Sequence, residues 1–339
     1  MKIFFAGNYF KIGGPWEVNK NLVKHLGNRV SHLTQRKGHT RFLETLCKII
    51  PAKVVIFSCA TQYDYITVPL CKLLKKKIIY IMHGCMALEY KINNNTSNNK
   101  GLKNEKILLD KSDLILCVSN TYKKIISKNF PQYQTKLDVL INGIDWKTLE
   151  SIPQEHSKNE NQIILMGGGR QTKRNLYVCK AIQNINQKYN TNYKVLVYGH
   201  YLEYDDSKAI SEIPCVTFHS VIPHHEILHQ LKESKIFIQN SDLESFSLGA
   251  IEALCCGCDI LITKNVGAKD IIQDIQVDDI INNPTDTNEL EDKILKIIKK
   301  GNNKRLLSSI DKTKTSTEYA ANKLLNFAET LLEKNSQYQ

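Results

Sequence analysis

The chain has 339 residues, 42% of them hydrophobic and 24% charged, which is enough apolar material for two ordinary domains and excludes a short peptide, a fibrous repeat or a disordered chain. Its formal net charge of +12 is unevenly placed: residues 1–150 hold 24 Lys/Arg against 10 Asp/Glu, a net of +14, whereas residues 151–339 hold 22 against 24. This basic excess favours an anionic partner for the first half, such as a phospholipid surface or a phosphate-bearing substrate. Without zinc-finger spacing, aromatic-basic strands or a basic-region helix, nucleic acid is not expected.

No apolar run approaches the roughly 18 residues of a membrane span, and Met1 to Gly7 runs straight into polar Asn8 instead of a leader-cleavage site, so the expected location is the cytoplasm. The ten cysteines are scattered, several inside apolar runs, and read as small buried hydrophobes of a reducing compartment. Only Cys255-Cys256-Gly257-Cys258 is clustered, and it lacks the second ligand pair of a tetrahedral zinc site. No metal is expected.

In chain order, short β-branched runs alternate with segments of helical length. Residues 2–6, 53–57, 77–81, 113–118 and 137–141 read as strands, with helices over 16–26, 65–74 and 121–127. This βα repeat predicts a Rossmann-like domain over residues 1–150. The polar run Asn93 to Lys100, within 91–103, reads as a mobile loop. Residues 151–162 read as an interdomain linker. The pattern then restarts with strands at 163–166, 193–198, 216–218, 235–238 and 260–262 and helices at 228–233 and 248–255, predicting a second Rossmann-like domain over 151–315. A last helix, Glu318 to Glu333 within 316–339, carries Ala321, Leu324, Leu325, Phe327, Leu331 and Leu332 on one side and is expected to pack across one domain or to bridge back to the N-terminal one. Two such domains predict an α/β protein with a central cleft between the carboxyl ends of its strands.

Three loops carry chemical content. Gly7 to Pro15, with Gly13-Gly14 before a helix, suits close approach of the backbone to an anion, but its spacing fails the dinucleotide fingerprint. Gly167-Gly168-Gly169-Arg170-Gln171-Thr172-Lys173 offers a planar cation and a movable one three residues apart, suited to a diphosphate; it is not the triphosphate P-loop. Ser241 to Glu252 places Glu244 and Glu252 eight apart at a helix entrance, spanning about 10 Å at helical rise, where carboxylates can accept hydrogen bonds from sugar diols. Ser241-x-x-Glu244 equally fits a capping box, which would make Glu244 a helix starter. His83-Gly84 ends a strand where cleft residues belong, Asn142 to Asp145 reads as a turn, and His224, His225 and His229 read as surface residues.

Glu244 and Glu252, followed by Gly257 and Gly267, together with Gly13-Gly14, His83-Gly84, the segment Glu105 to Ser119 and Val139 to Asp145, resemble the signature of family 4 retaining glycosyltransferases with the GT-B fold. The likeness runs over nearly the whole chain. It implies that Arg170 and Lys173 grip the diphosphate of a UDP- or GDP-sugar and that Glu252 binds the ribose hydroxyls. It also implies that Glu244 approaches the donor sugar while the amides of Phe246, Ser247 and Leu248 contact phosphate. Gly14 would lie near the diphosphate, His83 near the donor sugar's 6-position and its phosphate, and Gly199, Val221 and Ile222 near the nucleobase. Enzymes of this kind need no bound metal, and transfer proceeds by same-face attack on an ion-pair-like state. Three places depart from the pattern: Arg174 stands where the family usually has glycine after the lysine, Pro15-Trp16 precede Glu17, and Gly257-Cys258-Asp259 stands where many members have Gly-x-Pro.

In the resembling family the N-terminal domain holds the acceptor. Lys72, Lys75, Lys76 and Lys77 are therefore expected to dock on anionic lipid carrying an undecaprenyl-diphosphate-linked saccharide, with work on capsule, O-antigen or a similar surface polysaccharide. The alternatives are a nucleotide-sugar 2-epimerase of the same fold and a noncatalytic nucleotide-sugar-binding protein.

Overall fold

The structure, a computed structural model, describes residues 2–10, 13–36, 38–93, 99–151, 158–203 and 205–336. It divides into two compact units, Met1–Asp145 with Lys312–Gln339, and Trp146–Asp311. The sequence reading placed these borders at 150/151 and 315/316.

The first unit runs β1 (Ile3–Phe5), α1 (Gly14–Leu26), β2 (Ser31–His32), α2 (Gly38–Ile49), β3 (Val54–Ser58), α3 (Asp64–Leu73), β4 (Lys77–Met82), α4 (Met86–Ile92), α5 (Asn99–Lys111), β5 (Leu114–Cys117), α6 (Asn120–Asn129) and β6 (Leu137–Val139). Its sheet is entirely parallel in the order β2-β1-β3-β4-β5-β6. Helices on both faces leave the central strands almost no solvent: every residue of β3 is buried, as are Ile78 to Met82 of β4. That is why these strands read as unbroken apolar runs instead of alternating ones. Each fully buried Ile, Val or Phe here contributes about 1.5–3 kcal/mol.

The second unit runs α7 (Trp146–Glu150), β7 (Asn159–Met166), α8 (Asn175–Tyr189), β8 (Lys194–Tyr198), α9 (Ser207–Ser211), β9 (Val216–His219), α10 (His224–Glu233), β10 (Ser234–Gln239), α11 (Leu248–Cys255), β11 (Asp259–Thr263), β12 (Ile280–Ile281), α12 (Thr287–Lys300) and α13 (Asn303–Ser308). The sheet, again all parallel, is ordered β12-β11-β10-β7-β8-β9. Numbered by entry into this unit, that is the 3-2-1-4-5-6 order of the doubly wound nucleotide-binding fold, which reverses between β7 and β10. Helix α12 shows the local logic. The Asp286 side chain accepts from the Asn288 and Glu289 amides at its start, Gly301 ends it at φ 62°, and Leu290, Ile294 and Ile297 recur at helical spacing to meet the core that α8 also covers.

The chain returns to the first unit through α14 (Thr317–Ser336), whose Ala321, Leu324 and Ala328 are fully buried and which packs on α1. Backbone bonds Ile144 N to Thr315 O (2.9 Å) and Thr317 N to Ile144 O (3.1 Å) hold the crossing strand of chain in register.

Two readings of the sequence are corrected. The segment 91–103 is not one loop: α4 extends to Ile92 and α5 begins at Asn99, because the amphipathic turn at Leu108 and Leu109 anchors a helix whose other face is polar. Its centre, 94–98, lies outside the described residues. The linker is shorter than 151–162, since residues 159–162 already belong to β7, where Gln162 pairs with Lys194; 152–157 lie outside the described residues. Among the described residues no helix is long and apolar enough to cross a membrane.

Candidate functional site

At a reversal of strand order the loops after the two flanking strands diverge to opposite faces and leave a crevice at their carboxyl ends. In the second unit those loops are the ones rich in chemistry. After β7 come Gly167, Gly168 and Gly169. The amides of Gly167 and Gly168 both donate to Tyr198 O (2.7 and 3.0 Å), folding the loop against the end of β8, where Gly199 N in turn donates to His219 O. Gly168 has φ +61°, and Gly199 lies so close that a Cβ on it would stand 2.2 Å from Gly168 N. Asn175, buried at the start of α8, ties the loop down by donating to Gly168 O (2.8 Å) and Met166 O (3.2 Å).

Arg170 and Lys173 bracket one tight turn, Lys173 N donating to Arg170 O at 2.8 Å, and both side chains lie over Gly167. A Cβ there would meet Lys173 Cγ at 2.8 Å and Arg170 Nη2 at 3.1 Å. The exposed Arg170 donates from Nε to Gly167 O (3.2 Å). The Lys173 ammonium forms an ion pair with Glu244 Oε2, the two side chains retaining 13% and 18% of their exposure. The structure thus joins the two loops that the sequence reading treated separately, across the crevice between β7 and β10.

Arg174, standing where the resembling family has glycine, adopts the left-handed conformation (φ 49°, ψ 27°) that glycine takes most cheaply. The cost to a residue with a side chain is about 1 kcal/mol. It is offset here by Arg174 Nε donating to Asp242 Oδ2 (2.5 Å) and by Asn240 Nδ2 donating to Arg174 O (3.0 Å). The turn therefore survives without glycine.

Glu244 is not a capping residue. Helix α11 begins at Leu248, four residues beyond the end of the supposed box, and its N-cap is Ser247. Ser247 sits at φ 80°, with its hydroxyl donating to Gln239 Oε1 (3.2 Å), while Gln239 Nε2 reaches Ser241 Oγ (2.7 Å) and Glu244 Oε2 (3.5 Å). Gly267 N and Ala268 N donate to Glu244 O and Phe246 O (3.1 and 2.6 Å), so the whole turn is pinned to the stretch after β11. The Ser247 side chain makes no capping bond at the start of α11, where Ala250 N donates to Ser247 O (3.3 Å). Glu252 lies one turn into α11, and its Oε1 meets His224 Nε2 at 2.9 Å. His224 is on the surface, as read, but its contact with Glu252 was not foreseen: partners 28 positions apart carry no local signal.

Ile222 lines a cavity of about 390 Å³ with Tyr198, His219, His225, Glu226 and His229. Tyr198 stacks on His219 there, ring centroids 4.7 Å apart. Gly199 adjoins it at the end of β8, whereas Val221 stands 57% exposed.

In the first unit Gly14 is the first residue of α1, with open space where its Cβ would be. Lys11 and Ile12 of its loop lie outside the described residues. His83 follows β4 and is 7% exposed, and its Nε2 meets Ser58 Oγ at 3.0 Å. The turn after it is held by Glu105, buried on α5, which accepts from Met86 N (2.9 Å) and Ala87 N (3.1 Å) at the start of α4. Burial pushes the Glu105 carboxyl up from its ordinary value, and the two amides pull it back in part.

Burial also drives the His83 imidazole down to about 4, so it is neutral at pH 7. Between the ordinary value near 6.5 and 4 the unfolded chain binds a proton that the folded one does not, so stability falls as pH drops through that window, by up to about 3 kcal/mol. Asp64, raised by burial to about 7, acts oppositely: its folded form holds a proton that the unfolded chain loses above about 3.8, so stability falls as pH rises toward 7. Urea unfolding from pH 4 to 7.5 is expected to show the wild type losing stability on acidification relative to His83→Asn, and gaining it relative to Asp64→Asn. A His83→Asn difference that is flat across pH would refute the first half.

The parallel sheets and their strand order define a two-domain α/β protein of GT-B fold. The comparisons agree. Residues 147–314, just under half of the chain, match the family model of glycosyl transferases group 1. Among solved structures the chain is similar to Anabaena HepE in complex with UDP and glucose (14% identity, 97% of this chain and 100% of that chain, TM-score 0.73). It is also similar to sucrose-phosphate synthase from Thermosynechococcus elongatus (14%, 98% and 99%, TM-score 0.69) and to a UDP-forming trehalose-phosphate synthase from Burkholderia xenovorans in complex with glucose-6-phosphate (7%, 96% and 99%, TM-score 0.69). No curated protein matches the sequence. The chain is a glycosyltransferase, on the family match of its second unit.

Proposed function

We propose that the chain is a retaining glycosyltransferase that moves a sugar from a UDP- or GDP-linked donor to a hydroxyl of a saccharide acceptor, carried on a lipid diphosphate, in the building of a surface polysaccharide such as capsule or O-antigen. The observation that carries this reading is the Lys173–Glu244 ion pair across the strand-order reversal, beside the start of α11. A diphosphate placed there meets Lys173, Arg170 and the amides of Phe246, Ser247 and Leu248, and Glu244, on the same pair, is free to accept from a sugar hydroxyl. Glu252 takes the ribose hydroxyls, and Ile222 with Gly199 borders the base. The complexes of Anabaena HepE with UDP and UDP-glucose support a UDP-linked donor.

In this reaction the bond from the anomeric carbon to the diphosphate oxygen breaks. The acceptor oxygen bonds the same face of that carbon, and its proton passes to the departing diphosphate. Charge accumulates on the leaving group, so cations fixed in advance beside it do most of the catalysis. Arg170 and Lys173 supply them, and no metal is required. In this reading His83 and Gly14 serve the donor sugar and its diphosphate, and the enzyme works from the cytoplasmic side of a membrane.

The basic surface of the first unit is narrower than its composition suggests. Lys72 and Lys77 both pair with Asp113 (2.6 and 3.6 Å), and Lys76 donates to Ile50 O (2.7 Å). Lys75 and Leu73, the latter 78% exposed, remain beside them for an anionic lipid surface.

The test is a donor panel with purified protein, following nucleoside diphosphate release with and without a lipid-diphosphate saccharide, and flotation on anionic vesicles. Turnover that needs one nucleotide sugar, rises with the acceptor and persists in EDTA is the expected result. Donor consumption without acceptor dependence, or activity lost to chelation, would refute it.

A further inference from the structure

Four buried polar groups of the first unit meet where its strand order reverses, between β1 and β3. Asn8 follows β1, Asn19 lies on α1, Ser58 ends β3 and His83 follows β4. Asn19 and Ser58 have almost no exposure. Asn19 Nδ2 donates to Asn8 O at 2.7 Å, Ser58 Oγ donates to Asn19 Oδ1 at 2.6 Å, and Ser58 Oγ lies 3.0 Å from His83 Nε2.

The directions of these bonds follow from valence. A backbone carbonyl only accepts, so the Asn19 amide must present its NH₂ to Asn8 and its oxygen to Ser58. That oxygen also only accepts, so the single Ser58 proton is committed to it. Toward His83 the hydroxyl can then only accept, and Nε2 must carry a hydrogen. A neutral imidazole has one N–H, which leaves Nδ1 with its lone pair. Nδ1 has no partner among the described residues. Burial keeps the ring in its neutral form at pH 7.

We propose that Asn19 and Ser58 are positioning residues that lock His83 in the Nε2–H tautomer, so that Nδ1 is a fixed hydrogen-bond acceptor for a hydroxyl of the donor sugar. The sugar in this statement rests on the function proposed above; the tautomer does not. A group that only accepts favours a sugar bearing a hydroxyl at the contacted position over one that is deoxy or O-methylated there, because either change leaves the lone pair unmatched.

The experiment is long-range ¹H–¹⁵N correlation on the full chain labelled at histidine, with His83 signals assigned by their loss in His83→Gln. The wild type is expected to show a single Nε2–H pattern for His83 at pH 7.5. In Asn19→Ala the Ser58 hydroxyl loses its acceptor and turns to Nε2, so the pattern is expected to shift toward Nδ1–H. In Ser58→Ala it is expected to become mixed. With a donor that turns over, both variants are expected to lose about tenfold in kcat with little change in KM for the donor. An Nδ1–H or averaged pattern in the wild type overturns the proposal without recourse to any variant, and so does an unchanged tautomer in folded Asn19→Ala. If the tautomers behave as described but no nucleotide sugar is consumed by the wild type, the relay stands and the functional reading fails.

Discussion

Lys173→Ala is expected to lower kcat by about 10²–10³, roughly 2.7–4 kcal/mol of transition-state stabilisation, the range found when one preorganised charge-stabilising donor is removed. The lysine is nearly buried and already aimed by Glu244, so it stabilises the leaving diphosphate with little reorganisation. The exposed Arg170, held by one long bond to Gly167 O, is expected to cost only about tenfold on truncation, because water screens it and can replace it. Removing the lysine also strands the Glu244 carboxylate, so Lys173→Ala/Glu244→Gln is needed as a comparison: it relieves the unpaired charge without restoring the cation. Steady-state release of nucleoside diphosphate, with thermal unfolding to verify folding, measures these effects. A Lys173→Ala enzyme within threefold of wild type would show that the diphosphate does not sit at this pair.

Gly199→Ala is expected to destabilise the second unit by about 3 kcal/mol or more, the upper end for overpacking a close-packed site. The methyl would lie 2.2 Å from Gly168 N and 2.6 Å from Gly168 Cα, and these are backbone atoms that cannot rotate away. The loop must move as a whole, carrying Gly167 and the two cations above it. Donor affinity is therefore expected to fall with stability. Gly14→Ala, whose methyl would meet nothing within 4 Å, is the control for stability and is expected to unfold as the wild type does. Equal midpoints in urea for Gly199→Ala and wild type would mean that the two loops are not packed as described.

The architecture was legible where burial on both faces of a parallel sheet writes itself as an unbroken apolar run, as in Val54 to Phe57 and Ile78 to Ile81. It was illegible where an element is short or polar. Ser31–His32 and Ile280–Ile281 are two-residue edge strands with no pattern to show. Helix α5 buries Glu105 as well as Leu108 and Leu109, so its composition mimics a loop. At the site, the glycines, cations and glutamates announced themselves by type and spacing. Asn240 did not, because a side-chain amide bonding to a carbonyl 66 positions away looks like any surface amide until strand order brings the two together; Gln239 and Asn175 bond nearer partners, Ser241 Oγ and Gly168 O, in no recognisable motif. The Asn19–Ser58 relay was hidden in the same way: its members come from α1, from β3 and from the turns after β1 and β4.

Helix α14 gives the first unit a discontinuous chain, and this sets an order of assembly. As synthesis proceeds from the amino terminus, residues 146–311 are all available to fold before residues 312–336 emerge. Until then the apolar side of α1 that α14 covers has no partner, so the earlier-made unit is the later one to mature. A premature stop soon after Asp311 would thus spare the second unit and leave the amino-terminal unit with an open flank, a substrate for chaperones and proteases.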